Sequence, residues 1–385
     1  MASGGRAPLA DSMMKTVRRL LYRDIVWSVV FVAVAFLSLF YFIDFVDELD
    51  AVGRNGYTLA HAVAASALEV PGHLYELMPI CVLIGTIYSM ARLAQSSEYT
   101  ILRTGGLGPV RALRLLALLG LVFGAVTFTI GDYLSPLSES EAVLLKASFR
   151  GGLQLGRTGA WLKERRNGGG GQERSISVNV TRTGADRELQ GIRIFELDNE
   201  GRLRTRIEAK TGRVDRDSTW QLRDVERTEW PTPDQAAAGA AIQVRRSDTL
   251  SWPSTLSASV VAAAVLPVST MSTVELFRYS EHLGDQEQAS QRYEILFWKK
   301  ALYPFACLVM MALALPFAYL HARAGGISLK VFGGIMLGIS FVLLNNVSGH
   351  LGMLRNWAPW VAAATPGLVY LALSMAAFTW LVRYR

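Results

Sequence analysis

Three long apolar runs, a polar block from about Ser135 to about Trp298, and three more apolar runs make up this chain. Each run is of a length that crosses a hydrocarbon layer as a helix. They cover Ile25 to Ile43 (broken only by Ser28 and Ser38), Leu74 to Ala91, Arg111 to Ile130, Ala301 to Leu320, Val331 to Val347, and Trp357 to Leu381. Pro79 removes a backbone donor inside the second run, which loosens a helix there. Hydrophobic residues make up 51% of the 385 and charged residues only 18%, below the share usual for a soluble chain. The first run is too long for a cleavable signal peptide and has no small-residue cleavage site after it, so none is expected.

Charge orients the runs. Arg6, Lys15, Arg18, Arg19 and Arg23 precede the first, and Arg92 and Arg103 follow the second. Arg323 and Lys330 lie between the fourth and fifth, and Arg383 and Arg385 close the chain. The segment after the first run is acidic, with Asp44, Asp47, Glu48 and Asp50. Lysine and arginine in short loops stay on the cytoplasmic side. Six crossings with both termini inside satisfy every loop, and they put the polar block outside, in a bacterium the periplasm. The net charge of +7 does not imply nucleic-acid binding, because the basic residues lie beside apolar runs or alternate along strands. Cys81 and Cys307 fall inside apolar runs, poor places for a disulfide or a metal.

The expected fold is an α-helical membrane protein of six spans, 3+3, with an inserted all-β, jelly-roll-like periplasmic domain. Its parts are residues 1–134, 135–297 and 298–385. Ser138 to Arg150 has helical spacing and continues outward from span three. The period then becomes two: Ile176, Val178 and Val180; Leu203, Thr205, Ile207 and Ala209; Trp220 and Leu222; Ile242 and Val244. Turn residues such as Asp215 to Ser218 separate these runs, and Gly168–Gly171 reads as a flexible loop. Short strands at this spacing suggest a sandwich or jelly roll. Ser272 to Gly284 has a helical pattern.

No phosphate-binding glycine loop, HExxH, paired CxxC or GxSxG motif occurs. The five histidines (His61, His73, His282, His321, His350) share no helical face at ligand spacing. An intrinsic enzyme is therefore not expected. The most informative stretch is Gln95-Ser-Ser-Glu-Tyr-Thr-Ile-Leu-Arg-Thr-Gly-Gly106. Ser96 or Ser97 caps a helix start, Glu98 complements the dipole, Arg103 falls in the last turn, and Gly105 supplies a left-handed stop. A helix over about 96–105 is too short to be stable alone in water. It rests either on the membrane surface or on a cytosolic partner that meets Tyr99, Ile101 and Leu102, with Glu98 offered to a cation.

The runs Glu76-Leu-Met-Pro79 and Met90-Ala-Arg-Leu-Ala-Gln-Ser-Ser-Glu-Tyr99, followed by Gly105-Gly106, resemble the lipopolysaccharide-export permeases of the LptF/LptG (YjgP/YjgQ) family. Phe45-Val-Asp-Glu-Leu49, Gly159-Ala-Trp161, Arg292-Tyr293 and Trp298-Lys-Lys300 extend the similarity over essentially the whole chain. The exit motif and the Leu-Ala-Gln-x-Ser-Glu run favour the LptG branch. The resemblance implies a heterodimer with an LptF-type permease around a cavity open to the outer leaflet. It implies an LptB ATPase dimer that drives the pair through Glu98, Tyr99, Ile101, Leu102 and Arg103. ATP and Mg are then used by that ATPase, and no cofactor is bound by this chain. LptC and LptA carry the lipopolysaccharide onward.

For a phosphorylated glycolipid, cations at the outer rim are expected. Arg54, Lys146, Arg150, Lys299 and Lys300 stand at span ends, with Asp44 and Asp47 beside them. Each cation either meets a phosphate or anchors the interface. The family pattern has a lysine where this chain has Asp44, so a phosphate role has moved elsewhere or Asp44 pairs with a base. Asn345 and Asn346 in span five suit interhelical hydrogen bonding better than substrate contact. A second reading of the same topology is a membrane-tethered periplasmic scaffold or receptor without transport activity.

Overall fold

The computed structural model describes residues 6–96, 98–104, 107–149, 153–154, 159–168, 172–183, 188–215, 218–256, 261, 267–285, 290–319 and 326–384. In chain order the helices begin with α1 (Arg6–Leu49), α2 (Leu59–Gln95), α3 (Glu98–Thr104) and α4 (Pro109–Thr129). A π-helical turn (Ile130–Leu134) leads into α5 (Ser135–Phe149). After the strands come α7 (Thr273–Asp285), α8 (Gln291–Ala314), α9 (Ile327–Leu354) and α10 (Pro359–Tyr384), with the short α6 (Pro233–Ala237) before the last strand. Among the described residues six helices are long and apolar enough to cross a membrane. They outrun the apolar stretches that mark them: α2 starts fifteen residues before Leu74 and passes through both Pro71 and Pro79.

The chain forms two compact units. One comprises Met1–Asp44, Val70–Ser135 and Glu294–Arg385; the other comprises Phe45–Glu69 and Pro136–Tyr293.

In the first unit Leu21, Ile25 and Val29 of α1 pack with Met78, Cys81 and Val82 of α2 and with Cys307 and Met311 of α8. Between apolar helices in lipid, close backbone approach replaces the hydrophobic drive, and small residues permit it. A methyl at Gly85 would lie 2.7 Å from the Val29 backbone, and one at Gly124 would lie 2.9 Å from the Pro304 carbonyl oxygen. At Gly131, inside the π turn, it would strike the Tyr75 ring. Pro366 interrupts α10, so the Ala362 carbonyl loses its helical donor. Ser348 Oγ of α9 donates to that oxygen at 2.6 Å. Ser348→Ala should therefore cost about 1 kcal/mol. Adding Pro366→Ala, which restores the helix's own donor, should recover it. A double-mutant cycle on unfolding of the full chain in detergent measures the difference.

The second unit carries an antiparallel sheet: β1 (Leu153–Gln154), β2 (Ala160–Gly168), β3 (Gln172–Thr183), β4 (Leu189–Leu197), β5 (Leu203–Val214), β6 (Thr219–Glu229) and β7 (Gln243–Pro253). From β3 to β7 each strand pairs with the next in sequence, and β1 and β2 both pair with β3. Alternation puts Val178, Ile194 and Ile207 in register and buried. A flat sheet would hold β2 and β7 roughly 24 Å apart, at about 4.8 Å per strand. Instead Ser254 Oγ and the Thr255 N–H, just past β7, donate to the Glu164 carboxylate of β2 at 2.6 and 3.0 Å. Trp252 Nε1 of β7 likewise reaches Glu196 of β4 at 3.3 Å. The sheet is therefore curled so that its inner face packs on itself, which gives the jelly-roll-like core around Trp220, Trp252 and Leu256.

Two local devices fix the ends of elements. Asp198 turns the β4–β5 hairpin, accepting from the Arg202 and Glu200 N–H groups at 2.9 and 3.0 Å and from Arg204 Nε at 2.9 Å. Those bonds, the Arg202 amide first, hold its carboxyl below the usual range. Their contribution is complete above the ordinary carboxylate pKa and fades as pH falls through the lowered value. At the start of α7, Ser272 and Glu275 cap each other reciprocally. Ile242 and Val244 do not continue the buried alternation: both are more than half exposed, and β7 buries Trp252 instead.

Candidate functional site

Two places in the first unit combine exposure with a built scaffold. One is α3, seven residues long. Its position is set by the preceding turn, where Asp24 of α1 accepts from Ser89 Oγ at 2.6 Å and pairs with Arg92, both in the last turns of α2. Leu102 packs against the cluster that contains Leu93, Leu107 and Ala112, and the Leu107 N–H donates to the Leu102 carbonyl at 3.0 Å. Ile101 is left 67% exposed, and Glu98 is exposed as well. An isolated two-turn helix does not persist in water; this one is pinned on one side and bare on the other. Tyr99 and Arg103 belong to α3, but their side chains, like Ser97, Gly105 and Gly106, lie outside the described residues.

The second place is a cleft of about 170 Å³ between α8, α9 and α10. Lys299 stands in its wall, half-buried, and donates from Nζ to the Asn345 carbonyl at 2.6 Å. That bond uses the Asn345 main-chain oxygen, so it does not bear on the interhelical bonding expected of the Asn345 side-chain amide.

The other residues expected at the rim separate into distinct settings. Asp44 lies 2.7 Å from His73 Nε2, whose ring also packs on Phe40 at 5.0 Å between centroids. Asp44 therefore has a base within its own unit. Lys146 of α5 sits between Glu48 and Glu69, at 2.7 and 2.5 Å, inside the second unit. Asp47 and Arg54 are exposed and Lys300 is half-buried. Arg150 lies outside the described residues.

The sequence profile of the family described as "Lipopolysaccharide export system permease LptF/LptG" matches residues 19–382. This chain belongs to that family. It is similar to the "Lipopolysaccharide export system permease protein LptG" of Escherichia coli strain K12, 25% identical over 342 residues, which are 88% of this chain and 91% of that protein. The Haemophilus influenzae protein of the same name is 24% identical over 364 residues, 94% and 97% of the two chains. These relatives agree with the LptG leaning of the exit motif. Six membrane-length helices together with family membership make this permease a multi-pass inner-membrane protein.

The permease's sequence points to a short helix at α3 and to a cation at Lys299, but it carries no local sign that Asp24, Ser89, Glu48 and Glu69 act as partners. Asp24 and Ser89 are separated by 65 positions in sequence. Only the packing of α1 on α2 brings them together, and no local pattern records it.

Proposed function

We propose that this chain is the transmembrane permease subunit of an ABC transporter that extracts lipopolysaccharide from the outer leaflet of the inner membrane. It passes the glycolipid to a periplasmic bridge toward the outer membrane. In this reading residues 1–134 and 298–385 form the membrane part with both termini cytoplasmic, and residues 135–297 form the periplasmic β domain. An LptF-type permease completes the cavity, and LptC and LptA continue the path. ATP and Mg belong to a separate cytosolic LptB dimer, and this chain binds no cofactor of its own.

The observation that carries the reading is α3, held by Leu102 and presenting Glu98 and Ile101 outward. A helix fixed on its own bundle moves that bundle when something grips its free side. Tyr99 and Arg103 complete the gripped surface in this proposal. Arg54, exposed at the turn after α1, is the rim cation assigned to a headgroup phosphate.

Glu98→Lys should abolish lipopolysaccharide export while the chain still inserts and folds, because a reversed charge repels the cation that Glu98 meets. Export and ATPase copurification at wild-type levels in that variant would overturn the proposal. Labelling of a cysteine at Ile101 from the periplasmic side only would do the same.

A further inference from the structure

The cleft between α8, α9 and α10 is left unexplained by the export reading. Its walls are apolar, with Leu302, Val309 and Phe341 behind and Phe305, Leu368 and Leu371 toward the mouth. Phe305 and Leu368 are 59% and 58% exposed, so the cleft opens sideways between helices of membrane length. Gly367 lines the cleft, and Gly349 lies beside the amine. A methyl added to Gly367 of α10 would meet no atom within 4 Å. One added to Gly349 of α9 would lie 2.5 Å from Lys299 Nζ, so the missing side chain is what seats the amine.

The Lys299 ammonium has three N–H donors, of which the Asn345 carbonyl takes one. Among the described residues no carboxylate lies within ion-pair distance of it. An ammonium set in an apolar wall is costly without a counter-ion. Within a bilayer the anion at hand that also brings an apolar tail is a lipid phosphate. Charge complementarity at one end and apolar walls along the rest fit that molecule together. The cleft has room for a stretch of one acyl chain, not for a multiply acylated glycolipid.

We infer that the α8–α9–α10 cleft is an accessory lipid site that seats one acyl chain of an anionic glycerophospholipid and holds its phosphate on Lys299. This goes beyond the export reading and does not depend on it.

The test is native mass spectrometry of the full chain in detergent, offered equimolar phosphatidylglycerol and phosphatidylcholine of matched acyl length. The wild type should retain phosphatidylglycerol about tenfold over phosphatidylcholine, in line with a charge-assisted contact. Lys299→Gln, which keeps length and loses charge, should bring the ratio to about one. Gly367→Phe, which grows into open space, should lose both lipids from the site. A wild type without preference, a Lys299→Gln variant that keeps it, or a Gly367→Phe variant with unchanged occupancy overturns the inference. So does hexa-acylated lipid A replacing phosphatidylglycerol one for one. Loss of export in any of these variants bears on neither outcome, because the readout is lipid retention.

Discussion

Lys146→Ala should destabilise the second unit by about 3 kcal/mol or more, the usual consequence of stranding buried charge. Lys146 joins three helical segments: Glu48 comes from the end of α1, Glu69 from the first half of α2, and the lysine from α5. The three side chains are 18%, 7% and 29% exposed in the order Lys146, Glu48, Glu69. Tyr57 adds a hydrogen bond to the second Glu48 oxygen at 2.9 Å. Removing the cation that Glu48 and Glu69 share leaves the two carboxylates facing each other in a partly dry site. Desolvation and mutual repulsion then act in the same direction. Lys146→Met combined with Glu48→Gln and Glu69→Gln should recover most of the loss, because no charge remains to be stranded. Unfolding of the full chain in detergent, followed by hydrogen exchange at α5 amides, separates the variants. Equal loss in the single and triple variants would mean that packing of the lysine stem, not charge, holds these helices. The same geometry means that a lipid phosphate reaching Lys146 would have to displace two carboxylates already at hydrogen-bond distance.

What the sequence made legible follows from the range of the forces involved. The apolar runs show six crossings because membrane burial acts on every residue of a helix at once. Period-two alternation located β3, β5 and β6 correctly, since Val178, Ile207 and Trp220 each face the core. The same rule misled at Ile242 and Val244. Among the described residues β7 pairs with β6 alone, and Ile242 just before it and Val244 at its start both face solvent. In β2 the alternation includes the fully buried Glu164, which reads as a solvent-facing residue until its partners Ser254 and Thr255 are known. Those partners lie 90 and 91 positions away. The short helix Glu98–Thr104 was readable because start and stop signals are local, and so was the helical pattern that begins at Ser272; the expected cap Ser97 and stop Gly105 lie outside the described residues. Lys299 was visible as a cation at a span end. Its bond to Asn345 and the notch at Gly349 depend on how α8 meets α9, and that contact is written in no single segment.

Trp220→Ala should be the most damaging single truncation in the sheet, at about 3–5 kcal/mol. Trp220 is completely buried, and it meets Trp252 edge to face at 6.0 Å between ring centroids and 81° between planes. Trp252 in turn reaches across to Glu196, so the pair sits where the curled sheet packs on itself. Removing the Trp220 indole opens a cavity at that seam and removes an aromatic contact worth about 1 kcal/mol beyond its buried area. Trp220→Phe discriminates between shape and polarity. Among the described residues the Trp220 indole N–H has no hydrogen-bond partner, and a buried unsatisfied donor costs about 1–3 kcal/mol. Phenylalanine keeps much of the ring, leaves a smaller cavity and deletes that donor, so the two changes oppose each other. Trp220→Phe should therefore fall within about 1.5 kcal/mol of wild type, while Trp220→Ala unfolds the sheet at markedly lower denaturant. Hydrogen exchange of β4–β7 amides in the full chain reports the difference. If phenylalanine proved as destabilising as alanine, the indole N–H would have to be bonded, and the seam would be held by polarity and not by packing.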